Sequence, residues 1–120
     1  MPALHVIRLL GPWTVRQAGA TANFRVPGPP GIAGAATFVR RFQWVAKPAT
    51  GQTLALLAPP LPTSARWALN GIPLGVSEAD RPARFALPTP ARRNELTVEV
   101  DDWPAAQSFP GAALAIDAGA

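Results

Sequence analysis

The chain has no cysteine and no tyrosine, a single histidine, His5, and a single lysine, Lys47. Without cysteine, neither a disulfide nor a thiolate metal site can organise the fold. One histidine excludes a multi-histidine metal centre, and His5, flanked by Leu4 and Val6, reads as an ordinary strand residue. No apolar run approaches the roughly 18 residues of a membrane-spanning helix. The amino terminus lacks a signal peptide's pattern, because Arg8 interrupts Leu4–Ile7 and Leu9-Leu10 run straight into Gly11-Pro12. The expectation is a cytoplasmic protein. Charge is sparse too, at 15% of residues against 48% hydrophobic, a globular rather than a disordered balance.

The net charge of +4 comes almost wholly from arginine. Arginine, alanine and proline all have GC-rich codons, so a GC-rich bacterial genome accounts for the basic balance without an anionic partner. The basic residues are scattered rather than arranged as a stripe interleaved with aromatics, which speaks against nucleic-acid binding. No phosphate-binding loop is present, since Gly28 and Gly31 stand among prolines that have no N–H to donate. No cofactor is expected.

What is abundant is proline, 15 residues, with 10 glycines. Proline removes a backbone donor and clashes with a helix's preceding turn, so these numbers suit short strands punctuated by turns. Leu4–Leu9, Trp13–Gln17 and Ala22–Val26 read as strands, and Pro27–Gly31 as a loop. Thr37–Val45 is the longest strand candidate. Leu54–Ala58 ends at Pro59-Pro60. Ala65–Leu69 leads into Asn70-Gly71, a strong hairpin signal because both residues tolerate positive φ, and Ile72–Val76 returns. Arg84–Leu87 is short. In Asn94–Asp101, Leu96, Val98 and Val100 alternate with Glu95, Thr97, Glu99 and Asp101, one buried face and one wet face. Ala113–Asp117 closes the fold. About eight or nine short strands with turns between them predict a single all-β domain over residues 1–120, a two-sheet antiparallel sandwich.

Three stretches in order carry a family resemblance. They are Phe38-Val39-Arg40-Arg41-Phe42, then Trp67-Ala68-Leu69-Asn70-Gly71-Ile72-Pro73-Leu74-Gly75, then Phe85-Ala86-Leu87 with Asn94-Glu95-Leu96-Thr97-Val98-Glu99-Val100. The chain resembles the galactose-binding-like jelly roll found as the amino-terminal, sugar-binding domain of family 2 glycoside hydrolases, from about Leu9 to Ile116. The second stretch is similar to that family's "V-x-L-N-G-x-x-x-G" hairpin and the third to its "F-x-L … N-x-L-x-V-x-V" ending. The resemblance implies a jelly roll and, in those enzymes, catalytic carboxylates on a separate barrel. That barrel is absent from these 120 residues, so no enzymatic activity is expected of the chain alone.

The candidate ligand-binding residues are Trp44, Trp103, Glu78 and Asp80. Sugar modules stack an aromatic ring on a sugar's apolar face, and Trp44, near a strand end, and Trp103, beside Pro104, are the freer tryptophans. Trp13 and Trp67 read as core. Glu78 and Asp80 follow Gly75 in a loop where the resembled domains turn polar groups toward sugar; the ordinary alternative is an exposed turn paired with Arg81 or Arg84. Asp101-Asp102 is a weak calcium candidate, as calcium takes about six to eight oxygen ligands, and no metal site is expected. Arg40, on the face of Phe38 and Phe42, is expected to be buried beside Glu99 or Asp101.

Two functions follow. One is a non-catalytic carbohydrate-binding module, a stand-alone relative of the glycoside hydrolase domains. The other is a protein-interaction or self-assembly module with the same fold, favoured by the apolar loops Pro27 to Ala36 and Pro104 to Ala113. A sugar site requires a ring beside hydrogen-bonding groups in a concavity, and an assembly surface requires an apolar patch.

Overall fold

A period of two in side-chain polarity becomes a pleated strand with one dry face, and ten segments of this chain do so. The structure is a computed structural model and describes residues 4–44, 53–88 and 91–117. Val45 and Lys47 lie outside the described residues, as does the His5 side chain. The strands are β1 (Leu4–Leu9), β2 (Gly11–Gln17), β3 (Ala20–Val26), β4 (Gly34–Gln43) and β5 (Thr53–Ala58). They continue as β6 (Ala65–Leu69), β7 (Ile72–Ser77), β8 (Ala83–Ala86), β9 (Arg93–Trp103) and β10 (Ala112–Asp117). All pairings are antiparallel, in a four-stranded sheet of order β1-β10-β5-β8 and a six-stranded sheet of order β3-β2-β4-β9-β6-β7. This is the expected two-sheet sandwich, with one or two strands more than expected because every candidate segment pairs.

The two motif asparagines are tied together. Asn70 and Gly71 both have positive φ, 53° and 81°, which makes the tight turn between Leu69 and Ile72. The Asn70 side chain donates to Asn94 Oδ1 at 3.0 Å and accepts from the Glu95 amide at 2.8 Å. Asn94, buried, also clasps the Ala91 backbone through both ends of its amide. The "N-G" and the later "N" of the resemblance are therefore halves of one clamp that docks the β6–β7 hairpin on the start of β9. Gly75 has a similar structural reason: the Phe85 ring lies 2.6 Å from where a Cβ would stand.

The core lies between the sheets. Phe109 is fully buried at its centre, with ring centroids 4.6 Å from Phe38 and 4.9 Å from Trp13. It reaches there because Gly28 and Phe109 exchange backbone hydrogen bonds of 3.2 and 2.8 Å. That bridge ties the Pro27 to Ala36 and Pro104 to Ala113 loops to one another. Two of the core indoles are satisfied, Trp13 donating to Leu9 O at 2.9 Å and Trp67 to Ser77 Oγ at 2.8 Å.

Two expectations need correction. Trp103 is not a free ring: it is 1% exposed, packs on Phe38 at 5.1 Å, and donates to Gln107 O at 3.1 Å. The cause is a β-bulge. Ala36 pairs with Val100 but Gly34 pairs with Trp103, so Asp101 and Asp102 together oppose Ala35. Strict alternation would turn Trp103 outward; the extra residue turns it in. Opposite the bulge, the Gln17 amide donates to the carbonyls of Ala33 and Ala35 at 2.6 and 2.9 Å. Arg40, in turn, is half-buried and donates to the carbonyls of Leu10 and Arg41 rather than to a carboxylate. It pairs in register with Leu96 on the core-facing side, whereas Glu99 and Asp101 point to solvent and are held by Arg66.

Candidate functional site

The outer face of the six-stranded sheet carries the chain's concentrated polar groups. β4 lies beside β9 with Arg41 directly opposite Glu95, and their side chains pair at 3.1 Å. Arg16 from β2 approaches the same carboxylate oxygen at 3.9 Å. Around this pair is a cleft of about 440 Å3 lined by Arg41, Phe42, Gln43, Asn70, Arg93 and Glu95, with Asn94 beneath. That size is within the usual range for a small-molecule site. The Phe42 side chain is half-buried on the core-facing side of β4, and among the described residues no carboxylate pairs with Arg93. A second depression of about 340 Å3 shares Arg41 and adds Thr14, Arg16, Thr21 and Asn23 from β2 and β3. Thr14 Oγ1 bonds to Asn23 Oδ1 at 3.1 Å there. Hydroxyl, amide, guanidinium and carboxylate groups thus line a shallow run across neighbouring strands.

Further along β9, Arg66 grips Asp101 with two hydrogen bonds, 2.9 and 3.2 Å, and reaches Glu99 at 3.4 Å. This forked contact favours the Asp101 carboxylate by hydrogen bonding first and by charge second, and its pKa falls below the ordinary value. The same contacts raise that of Arg66. Asp101 is engaged by a cation already, and Asp102 is exposed. Among the described residues no three histidine or acidic side chains are grouped to hold a metal ion.

The four candidate residues are not brought together. Trp44 follows β4, with its amide bonded to Arg92 O at 2.9 Å, so it stands at the cleft's end of the sheet. It is half-buried against the core, and its indole Nε1 is buried with no partner among the described residues. Trp103 is in the core. Glu78 and Asp80 form an exposed turn between β7 and β8, where Asp80 has φ 61° and its amide bonds Leu61 O at 2.7 Å. Glu78 pairs loosely with Arg81 at 3.8 Å, the ordinary exposed turn. In register, Ser77 aligns through Ala65 with Val100, while Phe42 aligns with Asn94. Six residues of β9 separate those rows, about 20 Å along the strand, so Trp44 and the acidic turn belong to opposite ends. Sequence reasoning did not single out Arg41, Gln43, Arg93 and Glu95 as a site, because nothing local in the chain says that β4 lies beside β9.

No protein-family model and no curated protein matches the chain. Solved structures do match. An FMN-binding β-glucuronidase from Facaelibacterium prausnitzii is similar over 97% of this chain and 23% of that one, with a TM-score of 0.76 and 19% identity. The fold is that of a β-glucuronidase domain. A β-glucuronidase from an uncultured Clostridium species matches over 96% of this chain and 29% of its own, with a TM-score of 0.72 and 15% identity. The Bifidobacterium dentium β-glucuronidase, complexed with coumarin-3-O-glucuronide, matches over 82% and 20%, with a TM-score of 0.68 and 24% identity. The chain therefore spans under a third of the enzymes it resembles. Its sandwich is similar in fold to the matched portion of those β-glucuronidases. Within the cleft the one lining carboxylate is Glu95, which Arg41 engages.

Proposed function

We propose that the chain is a non-catalytic carbohydrate-binding module that holds a glycan across the outer face of the six-stranded sheet. The observation that carries this reading is the run of polar depressions joined at Arg41, in a sandwich of the kind found in glycoside hydrolases. Sugars present dense hydroxyl groups, and planar amides, guanidinium and carboxylate groups on a rigid sheet meet them without ordering a loop. Trp44 and Phe42 stand at the cleft's end of the sheet, with their side chains packed toward the core. Recognition rests mainly on hydrogen bonds, because the other tryptophans are core residues.

A glycan-array screen of the purified protein tests this. Selective binding is expected, weakened about tenfold by Arg41→Ala or Asn23→Ala, the loss of one charged or amide hydrogen bond. Neither change touches the core. Absence of any glycan binding, or binding indifferent to both substitutions, overturns the proposal.

A second reading, a protein-interaction module, is favoured by a specific observation on the opposite sheet. The outward row of the four-stranded sheet is apolar where a solvated face is expected to be polar.

A further inference from the structure

The register of the four-stranded sheet aligns Arg8, Ala113, Leu57 and Arg84 in one row across β1, β10, β5 and β8. The neighbouring core-facing residues Leu9, Leu56, Ala58 and Leu114 are buried, so this row points outward. Its floor is apolar, and Leu10 extends it, 39% exposed. Together they form an open trough of about 700 Å3. Ala55 and Ala115, further along the same outward side, are buried, so the trough occupies only this end of the sheet.

Three features define what fits. The trough is shallow and broad, so a small molecule would leave much of its surface in water, whereas a polypeptide segment lies along it. Pro27, Pro59, Pro82 and Pro110 rim it; proline has no N–H, so the rim is a poor template for strand addition and contact is made face-on through side chains. Arg8 and Arg84 are exposed at the two edges, and among the described residues no carboxylate pairs with either. A second copy fits badly. Any two-fold axis that superposes the row on itself sets arginine against arginine.

We propose that this trough docks an acidic, apolar segment of a partner protein, an inference that rests on the interaction reading above. The two arginines stand three strand spacings apart, about 14 Å. In an extended segment that distance is covered by four residues at about 3.3 Å each, and residues i, i+2 and i+4 share a face. The matching pattern is an acid, an apolar residue and an acid at those positions, the acids on Arg8 and Arg84 and the apolar side chain on Leu57 and Ala113.

The test is an NMR titration of the isotopically labelled full chain with a blocked peptide built on Asp-Ser-Leu-Ser-Asp, and with its Lys-Ser-Leu-Ser-Lys counterpart. The acidic peptide is expected to shift the amides of Leu57, Arg84 and Ala113 saturably, with millimolar affinity, and the basic one to leave them unmoved. Arg84→Glu and Arg8→Glu, both at exposed positions, are each expected to weaken binding about fivefold or more while the remaining spectrum stays folded. Equal response to both peptides, response elsewhere, or none overturns the proposal. A concentration-dependent dimer abolished by Leu57→Asp assigns the trough to a second copy, overturning this partner while keeping the interaction reading. No association of either kind removes both.

Discussion

Phe109 reaches the centre of the core from a loop, not from a strand. It touches Trp13 and Phe38, and Trp103 lies 5.8 Å away. Phe109→Ala is expected to cost about 3–5 kcal/mol, measured by urea denaturation; a cost below about 1 kcal/mol would mean that the loop is not the plug it is here. Asp101 makes a different prediction. Its carboxylate is favoured by Arg66 in the folded state, so its pKa there is depressed. Such a group adds stability above its unfolded pKa and loses it as pH falls through the folded value. Asp101→Asn should therefore lower the melting temperature slightly at neutral pH, with the difference closing at acid pH. Because the pair is exposed, added salt should shrink it as well. A difference that persists at low pH would show that Arg66 is not its source.

At the scale of elements, the decisive irregularity is the bulge in β9. Asp101 and Asp102 share one opposing residue, so removing Asp102 restores a regular ladder and leaves Trp103 facing the core. Removing Thr97, in the middle of the same strand, instead turns every later side chain to the wrong face. The deletion lacking Asp102 is expected to keep a cooperative unfolding transition and blue-shifted tryptophan emission, and the one lacking Thr97 to lose both. Equal behaviour of the two deletions would refute the bulge. The same alternation explains the misplaced partner of Arg40. Arg40 and Glu99 lie on opposite faces, as the polarity pattern of Asn94–Asp101 already required, and Arg66 was overlooked because it is adjacent to β9 only after the hairpin folds over.

The whole molecule is closed by its ends. β1 pairs with β10, and β10 is also the neighbour of β5, so it supplies two ladders to the four-stranded sheet. Pairings this distant in sequence slow folding into the range of milliseconds to seconds, and without β10 neither β1 nor β5 keeps that ladder. A protein ending at Gly111 is expected to show neither cooperative unfolding nor the native far-ultraviolet spectrum; a folded truncation would show that the six-stranded sheet stands alone. No helix of the described residues is long and apolar enough to cross a membrane.

The sequence alone determined the strands, the Asn70-Gly71 turn and the sandwich class, because alternation, turn chemistry and proline placement are local signals that tertiary packing here reinforced. It also marked Trp67 as core, since it alternates in phase with Ala65 and Leu69, and the family resemblance marked Trp13; both are buried. Only the tertiary structure decided which strands are adjacent, and hence that Arg41 meets Glu95, that Asn70 clasps Asn94, and that Arg8 and Arg84 bracket an apolar row. It likewise decided that Trp103 points inward. Adjacency between strands distant in the chain leaves no periodic trace in either one, and a single inserted residue reverses a side chain's direction without changing the composition around it.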